Sequence, residues 1–418
     1  MIPPTSSTRT PWAFIPTLYF AQGLPFVIVN TMSTVMYKDF GVSNAVIGAT
    51  SLLYLPWVIK PLWSPLVEMF GSKRLWILAM QVALAVGLAA VALAVNTPAF
   101  LMASLIVFFV IAFISATHDI AVDGFYLLAL PPKQQAFFVG IRSTFYRLAT
   151  ITGTGLLVVL AGHWIKAGVP VHLAWTKVLI IAAGIYALLA VVHRFSLPQP
   201  TESKEKGASG WGTFAEVWKT YFQQERIGWV VAFILLFRLG EAMLVKMIVP
   251  FLKDARPVGG LMLSTEQVGI VYGTIGVLGL VVGGILGGIL ISKFGLRRCI
   301  WPMALCVHLP NIGFVYLAKF QPEGWIVPGV VALEQFGYGF GFTAFLVFLM
   351  RTVGERFKTA HFAISTGFMA MGMMLPGMVS GYLQQAVGYP KFFMIVCIAT
   401  LPGLATIAFL PLKNKDNP

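Results

Sequence analysis

Charge is what this 418-residue chain has least of: Asp, Glu, Lys and Arg make up 11% of it, against about 25% in a soluble domain. Acidic residues are the rarer kind, 15 against 29 Lys and Arg, which leaves a formal net charge of +14. Cysteine is nearly absent. Cys299, Cys306 and Cys397 lie in apolar runs with neither metal-ligand nor disulfide spacing, so they read as small apolar fillers and no metal centre is expected. A Walker A loop, an H-E-x-x-H pair and a G-x-S-x-G elbow are also missing. ATP-driven pumping and hydrolytic chemistry therefore have no support, and neither an enzyme nor a cofactor is expected. The stretch Met1 to Thr10 holds one Arg and no cleavage pattern after a short apolar core, so no removable signal peptide is expected.

What the chain has in abundance is apolar length. Hydrophobic residues make up 58% of it and mean hydropathy is +0.84. A soluble protein this apolar would expose large patches and aggregate; in lipid the same surface is solvated. A spanning helix needs about 20 mostly apolar residues, and the runs here are too long for barrel strands. The runs predict twelve spans: 12–36, 45–69, 75–95, 98–129, 136–162, 173–195, 227–250, 267–291, 299–318, 325–350, 360–386 and 391–411. The run 98–129 is either one long helix or a span with an extension.

The expected class is thus an all-α membrane protein with twelve transmembrane helices. Three segments follow: an N-terminal six-helix bundle (1–195), a cytoplasmic linker (196–226) and a C-terminal six-helix bundle (227–418). The linker carries Pro198, Pro200, Glu202, Lys204, Glu205, Lys206 and Gly207, then Trp211, Phe214, Val217, Trp218 and Phe222 at helical spacing. That second half predicts an amphipathic helix at the membrane interface, either a plain tie between bundles or a regulatory element. More than half of the 29 Lys and Arg fall on the side that holds the N-terminus. Positive residues are retained inside, so both termini are expected in the cytoplasm. The basic excess is accounted for by topology, and no nucleic-acid partner is expected.

The two halves echo each other. Phe20-Ala-Gln-Gly23 is matched by Phe237-Arg-Leu-Gly240, and Lys38-Asp39 by Lys253-Asp254. Ser43 to Gly48 is matched by Ser264 to Gly269, and Glu68 to Arg74 by Ser292 to Arg298. Four echoes in order predict two parallel, pseudo-symmetric six-helix units, an arrangement known in secondary transporters.

The last echo resembles the loop motif between the second and third helices of the major facilitator superfamily, G-x-L-x-D-[RK]-x-G-[RK]-[RK]. The second copy reads Gly288-Ile-Leu-Ile-Ser292-Lys-Phe-Gly295-Leu-Arg297-Arg298, and the first keeps Glu68, Gly71 and Arg74. The resemblance implies that these residues form a cytoplasmic gate; topology alone also accounts for each basic residue. Gly71 and Gly295 suit a tight turn with positive φ. A narrower resemblance is to AmpG-type muropeptide permeases and the related acetyl-coenzyme A transporters. Thr117-His118-Asp119-Ile-Ala-Val-Asp123-Gly124-Phe-Tyr126, the Lys133-Gln-Gln turn and Tyr146-Arg147 carry it, with Phe20 to Pro25, Lys60 to Pro65, Phe392-Phe and Leu401-Pro-Gly403. His118 and Gly124-Phe-Tyr126 stand where those permeases usually have Gln and Arg.

Ionisable groups within spans are costly and mark function by default. They concentrate in spans one, four, seven and ten, which the superfamily resemblance implies line the central cavity. Gln22 and Asn30 lie in the first, His118, Asp119 and Asp123 in the fourth, Arg238, Glu241 and Lys246 in the seventh, Glu334, Gln335 and Tyr338 in the tenth. Asp119 and Asp123 share one helix face. Arg142 and Arg147 come back to similar depths after the Pro131-Pro132 turn, and one Asp–Arg pair is expected, of either arginine. Such a pair either neutralises itself structurally or serves coupling. Proton-coupling candidates are Asp119, Asp123, His118, Glu241 and Glu334. Substrate-binding candidates are Gln22, Asn30, Tyr126, Arg238, Gln335 and Tyr338, with Tyr19, Tyr54 and Trp57 as aromatic surfaces. Arg238 pairs with Glu241 along the helix or meets a substrate carboxylate or phosphate. Lys60 is expected to snorkel.

The expected function is secondary active transport across a bacterial inner membrane by a monomer, with protons as the coupling ion. The resemblance implies a peptidoglycan-derived muropeptide or muramyl sugar as substrate. A siderophore, a free amino sugar or an acyl-coenzyme A would use much the same groups, and a receptor on a transporter fold is the alternative of another class.

Overall fold

The computed structural model describes residues 10–199, 211–352 and 358–412, and among them every regular element is helical. Long apolar runs have no other way to satisfy their backbone in lipid. Among the described residues, eleven runs are long and apolar enough to cross a membrane: Pro11–Asp39, Asn44–Leu62, Lys73–Ala94, Phe100–Ala129, Gly140–Lys166, Val171–Ser196, Ile227–Lys253, Thr265–Phe294, Leu296–Phe320, Ile326–Thr352 and Ala360–Phe409. The last holds two expected spans. It breaks at Gly388, where φ is 75° and ψ 164°, a conformation a glycine tolerates. Twelve spanning helices result, each near its expected place. The fourth span is one 30-residue helix, which settles the ambiguity over 98–129.

Contacts divide the chain into two compact units. One comprises Met1–Ser33 and Leu62–Gly207, the other Thr34–Pro61 and Ala208–Pro418. In the first, Phe14, Leu18 and Tyr19 of the first span pack on Ile77, Val122, Phe125 and Tyr126 of the third and fourth. In the second, Phe233 and Phe237 of the seventh span pack on Phe345 and Phe348 of the tenth, with Met303 and Val307 of the ninth.

The second unit also contains a glycine-lined helix contact. A Cβ placed on Gly279, Gly283 or Gly287 would stand 2.7, 2.1 or 2.7 Å from the carbonyl oxygens of Ala332, Phe336 and Phe340. The eighth and tenth spans therefore meet backbone to backbone, the packing that small residues permit in membranes. The small face extends to Gly276, against Gln335, whereas Gly288 has nothing within 4 Å.

The interfacial helix forms over Trp211–Phe222. Residues 200–210, which include most of the expected polar linker, lie outside the described residues, as do the side chains of Trp211 and Phe214. Its anchor is Tyr221, which sequence spacing did not single out. The Tyr221 hydroxyl meets Ser365 Oγ at 3.0 Å and its ring stacks on Phe368, while Thr220 Oγ1 meets His361 Nε2 at 3.1 Å. Burial pushes the Tyr221 hydroxyl above its ordinary range, and the Ser365 contact pulls it partly back. Phe222, expected on the apolar face, is 49% exposed.

Candidate functional site

The seventh span is interrupted at Phe237-Arg238, between helices Ile227–Leu236 and Leu239–Lys253. Neighbouring backbone presses on the break: a Cβ on Gly240 would stand 2.6 Å from Val396 O, and one on Gly403 2.5 Å from Phe237 Cα. The interruption presents Arg238, buried to 6% exposure. Its guanidinium donates to the Tyr338 hydroxyl and lies 5.4 Å from the Tyr338 ring and 4.9 Å from the Phe342 ring. One turn on, Glu241 is 1% exposed and both its carboxyl oxygens lack a hydrogen-bond partner. Arg238 acts on Glu241 through its charge but is hydrogen-bonded to Tyr338 instead. The helical Arg–Glu pair that three-residue spacing allows is thus not a hydrogen-bonded one.

Glu334 of the tenth span is fully buried. Gln335 Nε2 donates to its Oε2 at 2.9 Å, and its Oε1 has no hydrogen-bond partner. Glu334 lies within electrostatic reach of Glu241. Tyr272 lies within reach of both acids and of Tyr54 and Tyr338. It sits in the π-helical turn Val271–Gly276, a distortion that often accompanies functional sites. The second unit therefore gathers Arg238, Glu241, Glu334, Gln335 and Tyr338 with Tyr54 and Tyr272. Lys246 is buried further along the seventh span.

The first unit gathers a different set. Tyr19 stands between Asp123 and Arg142: its hydroxyl donates to Asp123 Oδ1 at 3.5 Å and accepts from Arg142 Nη1 at 3.3 Å. Arg142 also lies 5.0 Å over the Tyr19 ring and 5.2 Å over Tyr126. Of the two candidate arginines, Arg142 serves Asp123, and it does so through a tyrosine. Tyr126 donates to the Gln135 carbonyl. Asp119, half-buried, acts electrostatically on Tyr186. Arg147 is half-buried near the C-terminal end of the helix Pro132–Thr150. Gln22 and Asn30 are buried in the first span, and Asn30, in the π turn Ile28–Met32, donates through Nδ2 to Phe26 O of the preceding turn at 3.0 Å.

His118 faces away from this group. Its Nε2 lies 3.2 Å from Gln81 Nε2, the Gln81 amide is 3.0 Å from His193 Nδ1 through its Oε1, and His193 Nε2 is 2.9 Å from Thr17 Oγ1. His118, Gln81 and His193 are all fully buried. This polar chain ties four spans together. Gln81 and His193 went unnoticed in the sequence because they lie in the third and sixth spans, outside the four expected to line a cavity; their lone polarity in apolar runs was the available signal.

At the loop after the second span, Gly71 has φ 71°, and Gly295 of the second copy has φ 76°. Arg74 donates to the carbonyls of Leu197, at 3.3 Å, and Arg194. The Glu68 side chain lies outside the described ones. Ser292 bonds back to Ile289 O at 2.8 Å, and Arg297 and Arg298 are exposed. Lys73, inside the same loop segment, is buried with its Nζ donating to Val67 O at 3.1 Å, and a Cβ on Gly124 would stand 3.0 Å from its Cε. Gly124 thus makes room for Lys73. Among the described residues, no three metal-ligating side chains converge.

Among the described residues, twelve spanning helices with polar clusters buried in their spans define a multi-pass membrane protein. The family profile of the Major Facilitator Superfamily matches residues 17–376, and the chain belongs to that family. It is 28% identical over 399 residues to the anhydromuropeptide permease of Escherichia coli K12, covering 93% of this chain and 77% of the relative. The putative transporter AmpG 4 of Rickettsia conorii is 22% identical, with 95% of each chain covered. Among solved structures, the nucleoside transporter NupG superposes with a TM-score of 0.71 at 18% identity, over 96% of this chain and 98% of that one. The chain is accordingly a transporter of small molecules in that superfamily, similar to AmpG-type permeases, and not an enzyme.

Proposed function

We propose that this chain imports a peptidoglycan-derived muropeptide or muramyl sugar across the bacterial inner membrane, driven by protons moving the same way. The observation that carries the reading is the cluster in the second unit. Glu241 and Glu334 are buried in spans seven and ten, and three of their four carboxyl oxygens have no hydrogen-bond partner. An unpaired carboxylate in such a place is costly, so protonation is the simplest way to keep it. Arg238, held against aromatic rings beside it, offers a fork to a substrate carboxylate. Gln335 and the tyrosines offer partners to hydroxyls and amides. The permease relative in Escherichia coli supports the muropeptide as substrate. In this reading both termini are cytoplasmic, the monomer works alone, residues 1–195 and 227–418 rock as two bundles about the linker 196–226, and the Gly71 and Gly295 loops gate the cytoplasmic side.

The test is uptake of anhydromuropeptide into proteoliposomes with and without an imposed pH gradient. The expected result is accumulation above equilibrium only with the gradient. Glu334→Gln should abolish that accumulation while preserving exchange of labelled for unlabelled substrate. Accumulation that ignores the gradient would remove proton coupling. Uptake of a siderophore, amino sugar or coenzyme A ester in place of the muropeptide would replace the substrate. Equilibration of no solute at all would favour a receptor.

A further inference from the structure

The repeated Lys-Asp dipeptides noted in the sequence have no role in the cluster just described, yet they meet. Lys38 Nζ pairs with Asp254, and Lys253 Nζ pairs with Asp39 Oδ1 at 2.6 Å. Each lysine takes the aspartate of the other repeat. Two bridges complete the arrangement. Lys38 donates to Asn44 Oδ1 at 2.9 Å, and Asn44 Nδ2 donates to Asp254 Oδ2 at 2.9 Å. Lys253 donates to Thr265 Oγ1 at 2.7 Å, and the Thr265 hydroxyl donates to Asp39 Oδ1 at 2.7 Å. Asn44 and Thr265 occupy matching positions, one residue after the capping serines Ser43 and Ser264 that open the second and eighth spans. The Tyr389 hydroxyl also donates to Asp254, and Asn44 Nδ2 reaches Gln384 Oε1 at 2.8 Å.

Adjacent residues on a helix do not face each other, so neither dipeptide can satisfy itself. Its charges need the other repeat or water. The four charged side chains are 8–15% exposed, so this is not a pair of loose surface contacts, which would be worth little. Removing one partner leaves the other charge stranded. Beneath the pairs the helices touch closely: a Cβ on Gly48 would stand 2.8 Å from Gly381 N, and one on Gly377 2.4 Å from Ser51 Oγ. Ser51 is 1% exposed. All four charges lie at span ends, where water can rehydrate them on separation.

We propose that the two Lys-Asp dipeptides form a reciprocal clasp that is the outer gate of the transporter, holding that mouth shut in this conformation and breaking once per transport cycle. The inference rests on the transport direction and orientation given above. It assigns Lys38, Asp39, Lys253 and Asp254 as gating residues, with Asn44 and Thr265 as their bridges. They touch each other rather than substrate.

The test is labelling of Ser51→Cys by a membrane-impermeant maleimide, after Cys299, Cys306 and Cys397 are replaced by serine, without any substrate. In the closed clasp Ser51→Cys should react slowly. Lys38→Gln and Lys253→Gln should each raise its rate from outside about tenfold, equivalent to about 1.4 kcal/mol in the gate equilibrium. Lys38→Asp combined with Asp254→Lys should return the rate to that of the parent. Unchanged rates in the single variants, or a charge swap as fast as they are, would overturn the clasp. Should Lys38→Gln fail to reach the membrane, Asp39→Asn carries the same comparison. Labelling from inverted vesicles only would remove the orientation underneath the proposal. A rate change without muropeptide uptake would leave the gate standing and remove the substrate.

Discussion

Arg238 and Tyr19 show how single residues divide the work. Arg238 is held by the Tyr338 hydroxyl and two aromatic faces rather than hydrogen-bonded to Glu241, and in the proposed function its guanidinium meets a substrate carboxylate. Lysine has no planar fork to hold there, so Arg238→Lys should raise the KM for substrate about tenfold with folding intact; initial-rate uptake kinetics measure it. Tyr19 carries the contact between Asp123 and Arg142. Tyr19→Phe removes the hydroxyl and leaves both charged partners less satisfied. We expect a loss of about 1–3 kcal/mol in stability, read as a lowered unfolding temperature in detergent. The acids of the fourth span and the arginines of the fifth were legible in the sequence because charge in an apolar run stands out. Tyr19 as mediator was not, since its partners lie 104 and 123 residues away.

At the scale of helices, the eighth and tenth spans make the sharpest contrast. Gly283 lies 2.1 Å, measured from its would-be Cβ, from Phe336 O, whereas Gly288 has open space. Gly283→Leu should therefore push two backbones apart and cost at least about 1–3 kcal/mol. Gly288→Leu should leave stability unchanged. Thermal unfolding of the two purified variants side by side makes the comparison. Gly276, Gly279, Gly283 and Gly287 recur at helical spacing in the sequence, but which glycines touch a neighbour depends on where the helices diverge. The interfacial helix teaches the same lesson. Its periodicity marked Trp218 and Phe222, while Tyr221 became the anchor because Ser365 and Phe368 stand opposite it. Tyr221→Phe should cost about 1 kcal/mol through the lost hydrogen bond.

For the molecule as a whole, the orientation prediction is direct. A cysteine placed within 200–207 in a cysteine-free background should react with impermeant reagents only in inverted vesicles, as the placement of Lys and Arg requires. Reaction in intact cells would reverse the topology. A ligand that binds only the folded transporter raises its stability. Muropeptides at a hundred times their Kd should add about 2.7 kcal/mol, visible as a thermal shift of the purified protein. Absence of a shift with muropeptides, beside a clear one with siderophores or coenzyme A esters, would reassign the substrate.

The sequence by itself determined the number of spans, their approximate ends and the internal repeat. Lipid imposes one demand on every residue of a span, and that demand is written locally as apolar length. It also marked nearly every charged group in the spans, because each violates the local rule. Partners were decided only by tertiary structure. The echo of Lys38-Asp39 in Lys253-Asp254 was plain, but that each lysine takes the other's aspartate follows from two span ends meeting in space. His118 looked like a cavity group by its place next to Asp119, yet the turn of the helix sends it to Gln81 and His193 instead. A hydrogen bond forms between surfaces brought together by packing, and packing depends on all the helices at once.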